Sequence, residues 1–292
     1  MTETRTIRTG GLETRVAIHR PDAATNCHVG ILYLHGGGLL YGERDDLPAI
    51  YVSELVRAGF TLACLDYPLA PETPLPQITA AVLEGWAWFA HELAAELGLG
   101  GHFLFGRSSG AYLALVLARD VRRTGLEPEP LGILDFYGYH DLMDPAFWEP
   151  CATYASLPAV SEKTVSALTS GGPVTRGPFE LRFALYIHAR QTGDWVRMLG
   201  VDEDQAREQS LTADDVAALP PLFVAASTDD GDVPYRIPKS LYRAKRGTKM
   251  VTVYHLEHDF DRDASRPEGP DCYRQAIAWM DGLLAQGDRV VT

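Results

Sequence analysis

A five-residue run of sequence GRSSG, at residues 106–110, separates a short apolar strand from a helix and limits the folds open to this chain. The strand is predicted at 103–105 and the helix at 111–122. Small residues two positions before and after the central serine let the strand and helix backbones approach closely, and the tight turn holds that serine in a strained conformation. The pattern predicts that Ser108 is a catalytic nucleophile. The alternative is a glycine-rich turn that only reverses the chain.

Strands and helices alternate along most of the 292 residues. Strand-like runs lie at 5–8, 14–19, 29–34, 60–65, 103–105, 131–136, 222–226 and 250–255, and helix-like periodicity lies at 48–58, 78–97, 111–122 and 272–284. Hydrophobic residues make up 46% of the chain, which is enough to bury a full core and excludes general disorder. We therefore expect an α/β fold, with a mostly parallel sheet, helices on both faces and right-handed crossovers.

The segment 141–219 interrupts this alternation, because it contains helix-like stretches at 180–191 and 202–209 and no good strand run. An insertion of this length between two core strands indicates a helical lid rather than a loop. Since the sequence shows no Pro/Ser-rich linker, we predict a single domain, 1–292, that carries the lid insertion 141–219.

A second glycine-rich motif, HGGG at residues 35–38, directly follows the predicted strand 29–34. Glycines leave backbone N–H groups unobstructed, as the stabilisation of a tetrahedral oxyanion requires. We predict that Gly36 and Gly37 donate to the oxyanion together with the N–H group of Ser109, and that His35 fixes the loop. The alternative is a flexible turn.

A nucleophilic serine needs a base, and the base needs an orienting acid. His258 follows the predicted strand 250–255 and could reach the serine from the carboxyl edge of the sheet, whereas His255, at the end of that strand, is expected to be packed. The loop 229–232, of sequence DDGD, offers three carboxylates. The chain order Ser, Asp, His is the order that α/β-hydrolases use.

A metal site is the rival interpretation of the same residues. His255, His258 and the nearby carboxylates could supply nitrogen and oxygen ligands. The spacing of the two histidines suits ligands on a helix, however, and here they leave a strand. A metal would also leave the serine and glycine motifs without a role, so we predict neither a metal nor another cofactor.

Together these motifs resemble the α/β-hydrolase fold and, within it, the hormone-sensitive-lipase-like esterases. Residues 35–38 match the HGGG motif of that family, residues 66–72 (DYPLAPE) are close to its DYRLAPE segment, and Ser108 and His258 lie in its GxSxG and HxF settings. The resemblance implies that Asp230, three residues before Val233, is the acid. One residue differs from the family pattern: Arg107 occupies the position at which the family's GDSAGG motif has an acidic residue.

Polar residues recur on one face of the predicted lid helix. Arg182, Tyr186 and Arg190 are four residues apart, and the two arginines could hold a carboxylate of a substrate above Ser108. The alternative is an ordinary solvated face of the helix. For Arg107 we expect either an exposed charge beside the serine or an ion pair with Asp229 or Asp232.

The charge balance limits the partners of the chain. Lys and Arg number 26 against 39 Asp and Glu, a formal charge of −13, which argues against nucleic acid or an anionic membrane as partner. No apolar run approaches the length of a secretion signal or a membrane span, so we expect a soluble, cytoplasmic protein. A homodimer is possible. The four cysteines, far apart in the sequence, are expected to be buried free thiols.

The sequence thus predicts a serine carboxylesterase that hydrolyses a small-molecule ester with a short acyl chain through an acyl-enzyme, and whose activity falls as His258 is protonated, nominally near pH ~6.5. One alternative is a peptidase or amidase of the same fold. The other is a protein that binds a ligand in the same pocket without catalysis.

Overall fold

A computed structural model describes residues 1–287, in which eight strands form one sheet in the order β1-β2-β4-β3-β5-β6-β7-β8. Residues 288–292 of the predicted domain lie outside the described residues. The strands are β1 Thr2–Thr9, β2 Leu12–His19, β3 Val29–Leu34, β4 Thr61–Leu65, β5 Gly101–Arg107, β6 Gly132–Phe136, β7 Leu222–Ser227 and β8 Lys249–Val253.

Seven of these strands run in the same direction, and β2, next to one edge of the sheet, runs in the opposite direction. β2 pairs antiparallel with both β1 and β4, while every pairing from β4 to β8 is parallel. The carboxyl ends of β3, β5 and β6 are adjacent, because Leu34 pairs with Gly106 and Gly106 pairs with Asp135. The loops that follow these three strands therefore meet at one edge of the sheet.

Helices cover both faces of the sheet. They are α1 Ala49–Arg57, α2 Leu75–Ala87, α3 Ala94–Leu97, α4 Ser109–Thr124, α5 Ala152–Ala155, α6 Glu162–Leu168, α7 Phe179–Thr192, α8 Trp195–Met198, α9 Glu203–Gln209, α10 Ala213–Ala218, α11 Arg236–Ala244 and α12 Glu268–Gly287. A π-helical segment, Trp88–Leu93, joins α2 to α3. Within residues 1–287 no helix is long and apolar enough to cross a membrane.

The core lies in two layers, one on each face of the sheet. Side chains of β3 alternate between them: Leu32 and Leu34 belong to the layer that contains α2 and α4, while Ile31 and Tyr33 belong to the layer that contains α1 and α12. All six residues of β3 are buried, as expected of a parallel strand covered on both faces. The predicted α/β fold is confirmed.

The insertion between β6 and β7 is helical. Residues 141–219 contain α5 to α10 and one 3₁₀ turn, Pro145–Phe147, and α7 is the longest of these helices. The predicted segment 180–191 corresponds to α7, Phe179–Thr192, which ends at Gly193 in the left-handed conformation that closes many helices. The helix α11, Arg236–Ala244, was not predicted, because it is short and Pro238 interrupts its sequence pattern.

The four cysteines form no disulfide bond. Cys64 and Cys272 are buried, as expected, but Cys27 is exposed and Cys151 is partly exposed. The expectation of buried thiols was therefore wrong for Cys27, which lies in the loop before β3, and for Cys151, which directly precedes α5 in the insertion.

Candidate active site

The GRSSG run forms a sharp turn between β5 and α4. Ser108 has backbone angles of φ 52° and ψ −120°, outside the regions that most side chains adopt. The turn is closed so tightly that a Cβ atom on Gly106 would collide with the backbone of Gly110, and one on Gly110 would collide with the backbone of Leu34. Glycine is therefore required on both sides of Ser108, which explains the spacing of the motif.

The structure brings Ser108, His258 and Asp230 together in a hydrogen-bonded line. His258 Nε2 lies 2.8 Å from Ser108 Oγ, and His258 Nδ1 lies 2.6 Å from Asp230 Oδ2. The other carboxylate oxygen of Asp230 accepts backbone hydrogen bonds of 2.8 Å from Asp232 and Val233. The acid is thus held by its own loop while it orients the imidazole ring, which is the arrangement of a nucleophile, a base and an orienting acid.

Charge around His258 changes the proton affinity of its ring. Burial alone would lower the pKa of His258, but the carboxylate of Asp230, with smaller contributions from Asp232 and Asp259, outweighs burial and raises the pKa to about 9. The nominal sequence-based value of about 6.5 did not include these charges. The unprotonated form, which can accept a proton, is therefore favoured only at alkaline pH.

The backbone N–H groups of Gly36, Gly37 and Ser109 are the ones predicted to bind an oxyanion. Gly36 and Gly37 line the same cavity as Ser108 and His258, and Ser109 is the first residue of α4. Within residues 1–287, the N–H groups of Gly36, Gly37 and Ser109 donate no hydrogen bond. His35 Nδ1 lies 2.7 Å from the carbonyl oxygen of Gly36 and fixes that peptide plane, whose N–H group, on Gly37, points the opposite way. His35 thus holds the loop, as expected.

A cavity of about 530 Å³ opens above these groups. Its lining includes Ser108, His258 and the glycine loop, together with side chains of the insertion 141–219. The remaining lining residues are Gly38, Tyr41, Gly42, Glu43, Asp46, Pro48, Arg107, Tyr137, Tyr154, Phe179, Glu180, Phe183, Tyr186, Asp232, Asp259 and Arg262.

Known proteins share the fold of this chain. A family model described as the alpha/beta hydrolase fold matches residues 31–260, most of the chain. The chain belongs to the α/β-hydrolase family. The match also confirms the resemblance to the hormone-sensitive-lipase-like esterases.

Solved structures similar to this α/β-hydrolase cover nearly all of its length. A Staphylococcus aureus protein of unknown function is 29% identical, with a TM-score of 0.85 over 96% of this chain and 99% of that one. An α/β-hydrolase superfamily protein from Enterococcus faecalis is 30% identical, with a TM-score of 0.83 over 96% of this chain and 98% of that one. An esterase from Pyrobaculum calidifontis, 21% identical with a TM-score of 0.69 over 97% of this chain and 85% of that one, shares the fold.

Curated relatives of the hydrolase are much longer proteins. A non-reducing polyketide synthase of Aspergillus terreus is 29% identical in an alignment of 224 residues. The alignment covers 66% of this chain and 9% of the synthase. A second synthase, from Penicillium rubens, is 34% identical in an alignment of 141 residues, which covers 45% of this chain and 6% of the synthase. The hydrolase therefore corresponds to a small part of these enzymes.

Arg107 of this hydrolase lies in a buried network rather than at the surface. Its guanidinium group donates to the hydroxyl group of Tyr137 at 2.6 Å and to Asp261 at 2.9 Å, and it lies 3.4 Å from Asp46. The prediction that Arg107 is exposed or pairs with Asp229 or Asp232 was wrong. Its side chain is buried and contacts Asp261, in the loop after His258. The ring of Tyr137 packs edge-on against the His258 ring, 4.7 Å between centroids, so this network supports the base.

Two of the three lid residues expected to bind substrate do not line the cavity. Arg182 is buried and pairs with Glu72 at 2.8 Å, and it also donates to the carbonyl oxygens of Leu40 and Ala70. Arg190 is buried and donates to the carbonyl oxygens of Ala146 and Asp232. Both guanidinium groups are engaged within the protein, so the predicted role of Arg182 and Arg190 as carboxylate binders was wrong.

Tyr186, the third of these lid residues, lines the cavity. Its hydroxyl group donates to Asp232 at 2.8 Å, so the ring faces the cavity while the polar atom is anchored. The lid helix is thus attached to the loop that bears Asp230.

His255 and His258 have different surroundings. His255 is exposed, not packed as expected, and its ring lies 3.3 Å from Asp229. Its backbone turns away from β8 with a φ of 60°. Among residues 1–287, no group of three or more His, Cys, Asp or Glu side chains is arranged to hold a metal ion.

Tyr137 and Tyr41 also line the cavity, and neither was predicted as a site residue. Tyr137 directly follows β6, the neighbour of β5 in the sheet, so its position at the carboxyl edge was the available signal. Tyr41 follows the glycine loop, and no sequence pattern distinguishes it from a core tyrosine.

Proposed function

We propose that this α/β-hydrolase is a serine carboxylesterase that acts on short-chain carboxylic esters. The observation that carries the proposal is the line from Ser108 Oγ through His258 to Asp230 at hydrogen-bond distances, with Ser108 and His258 in the lining of a cavity. The same side chains match the roles of nucleophile, base and orienting acid.

The proposed reaction proceeds through an acyl-enzyme. Ser108 Oγ attacks the ester carbonyl carbon as His258 Nε2 accepts its proton, and the N–H groups of Gly36, Gly37 and Ser109 stabilise the oxyanion. His258 then returns the proton to the leaving alcohol as the carbon–oxygen bond of the ester breaks. Water, activated by the same imidazole, attacks the acyl-enzyme and releases the carboxylic acid with regeneration of Ser108.

The size of the cavity supports small substrates. A volume of about 530 Å³ lies within the range of small-molecule sites, and the lid side chains close one side of it. The membership of the chain in a family of esterases supports ester chemistry over the alternative of ligand binding alone. Esterases such as that of Pyrobaculum calidifontis share the fold.

Hydrolysis of p-nitrophenyl esters from acetate to decanoate tests the proposal. We expect turnover that is greatest for short chains and that falls by about 10⁴-fold or more in Ser108→Ala. The matched control is Ser170→Ala, an exposed lid serine, which should keep wild-type activity. An organophosphonate should label wild type at one site, and should not label Ser108→Ala.

Two outcomes would contradict ester hydrolysis. Turnover of p-nitroanilides without turnover of any ester would indicate the amidase alternative. Absence of both activities and of labelling, in folded protein, would indicate a binding protein.

A further inference from the structure

Five aromatic side chains form one side of the cavity, which we call the aromatic wall. They are Tyr41, Tyr154, Phe179, Phe183 and Tyr186. We propose that the substrate carries an aromatic group without negative charge, which packs against the aromatic wall. This inference rests on the ester hydrolysis proposed above and names the class of ester.

The rings of the wall are held at defined angles. Tyr41 lies edge-on to Phe179 at 5.7 Å and to Phe183 at 5.4 Å between centroids, and Tyr154 lies edge-on to Tyr186 at 5.3 Å. Such edge-to-face arrangements are preferred by aromatic rings, because the edge of one ring is positive and the face of another is negative. A further ring entering the cavity could extend the same packing, whereas an alkyl group has no such preference.

Two of the three hydroxyl groups of the wall are anchored by hydrogen bonds within the protein. Tyr154 and Tyr186 donate to the two carboxylate oxygens of Asp232 at 2.9 and 2.8 Å. These two rings are therefore fixed in position and direct their polar atoms to Asp232. The wall offers a preorganised aromatic surface, which reduces the entropy lost on binding a rigid ring.

The wall lies partly in the core and partly open: Tyr186 belongs to the core, while Tyr41, Tyr154 and Phe183 pack against the core with part of their surface exposed. Other aromatic residues of the lid insertion, Phe147 and Trp195, are buried and pack with Tyr139. In contrast, Phe179 is 38% exposed, and Tyr41 and Phe183 are partly exposed. Apolar surface left open to a cavity is typical of a binding site.

Charge around the cavity disfavours an anionic substrate group. Five carboxylates line it, those of Glu43, Asp46, Glu180, Asp232 and Asp259, against two guanidinium groups, those of Arg107 and Arg262. Four of the carboxylates pair with arginines: Glu43 with Arg176, Asp46 with Arg107, Asp232 with Arg190 and Asp259 with Arg262. Arg107 also pairs with Asp261, and Arg262 lies over the Phe179 ring at 5.4 Å. An additional carboxylate in the substrate would therefore meet no guanidinium group of the lining that is not already engaged by a carboxylate.

Matched pairs of esters, followed by acid release in a pH-stat, test the inference. Methyl 3-phenylpropanoate and methyl 3-cyclohexylpropanoate differ only in the ring of the acyl group, and benzyl acetate and cyclohexylmethyl acetate differ only in the ring of the alcohol. We expect kcat/KM for the phenyl member to exceed that for the cyclohexyl member by about 3- to 10-fold in at least one pair. Benzyl acetate should also exceed 4-carboxybenzyl acetate.

Variants of α7 connect the preference to the wall. Phe183→Leu should bring the phenyl/cyclohexyl ratio of kcat/KM close to one. If Phe183→Leu does not fold, Phe179→Leu, at the more exposed position, replaces it in the same test. Leu181→Ala is the matched control, because Leu181 is 65% exposed on the same helix, and it should keep the wild-type ratio.

The results separate this inference from the proposed function. Ratios of one or less in both pairs, with all four esters hydrolysed, would overturn the aromatic preference and leave the esterase intact. Equal or faster hydrolysis of the carboxybenzyl ester would overturn the charge preference. Failure to hydrolyse any ester would overturn the proposed function itself.

Discussion

The hydroxyl group of Tyr186 donates a 2.8 Å hydrogen bond to the carboxylate of Asp232 and so joins the lid helix to the acid loop. The backbone N–H group of Asp232 in turn donates to Asp230 Oδ1 at 2.8 Å. Tyr154 donates to the other carboxylate oxygen of Asp232 at 2.9 Å. The lid and the acid that orients His258 are therefore connected by two hydrogen bonds in series.

Tyr186→Phe should weaken this connection while it keeps the ring. We expect a loss of about 1–2 kcal/mol in the free energy of unfolding, because a buried carboxylate oxygen loses a donor, and a several-fold decrease in kcat. Denaturant unfolding and ester hydrolysis measure the two effects. The control Tyr242→Phe, at an exposed tyrosine, should change stability by less than about 0.5 kcal/mol. Wild-type stability and kcat in Tyr186→Phe would show that the hydrogen bond between Tyr186 and Asp232 contributes to neither.

The pH dependence of kcat/KM should report the raised pKa of His258. The base acts only when it is unprotonated, so activity present at high pH is lost as the pH falls below the pKa, which Asp230 helps to raise to about 9. We expect kcat/KM to fall about tenfold per pH unit on the acid side, so that the value at pH 7 is about a hundredfold below the maximum. A profile that is flat from pH 7 to 10 would contradict the raised pKa.

Asp230→Asn should lower that pKa and also the maximum rate. The substitution removes the charge that stabilises the imidazolium ion, so the acid limb should move to lower pH. It also removes the acceptor that sets the tautomer of the ring, and we expect kcat to fall by up to about 10⁴-fold. Asp229→Asn is the control, because Asp229 faces His255 at the surface. Its profile should overlay that of the wild type.

Gly106→Ala should prevent normal folding of the turn, because the added Cβ would collide with the backbone of Gly110. We expect little folded protein, or a large decrease in melting temperature. Gly282→Ala is the matched control: its Cβ would meet open space on α12, and the gain in helix propensity should add about 0.5–1 kcal/mol. Equal melting temperatures of the two variants would refute the close approach at the turn.

Arg107→Met should leave the fully buried carboxylate of Asp261 without its guanidinium partner. We expect a loss of about 3–5 kcal/mol in the free energy of unfolding. Adding Asp261→Asn to Arg107→Met should recover part of the lost stability, because the second substitution removes the unpaired charge. Arg197→Met, which breaks an exposed ion pair with Asp194, should cost less than about 1 kcal/mol. A single Arg107 variant as stable as the wild type would show that the network is not needed for the fold.

The fold class and the local motifs of this protein could be predicted from its sequence alone. Hydrophobic periodicity placed the strands and most helices, since it reflects which side of each element is buried. The spacing around Ser108 and the glycine run after β3 identified the turn and the loop, because close backbone approach allows few residue types there. The chosen acid, Asp230, came from the family motif, and in the structure it contacts His258.

The partners and charge states of the side chains, in contrast, depend on how the elements pack against one another. Arg107, Arg182 and Arg190 lie in buried ion pairs whose partners are distant in sequence, and a charge stripe on a helix does not show what will cover it. The raised pKa of His258 depends in the same way on carboxylates that folding brings around the ring. Long-range contacts of this kind arise from packing between elements, which neither propensity nor periodicity records, and so they had to be read from the fold.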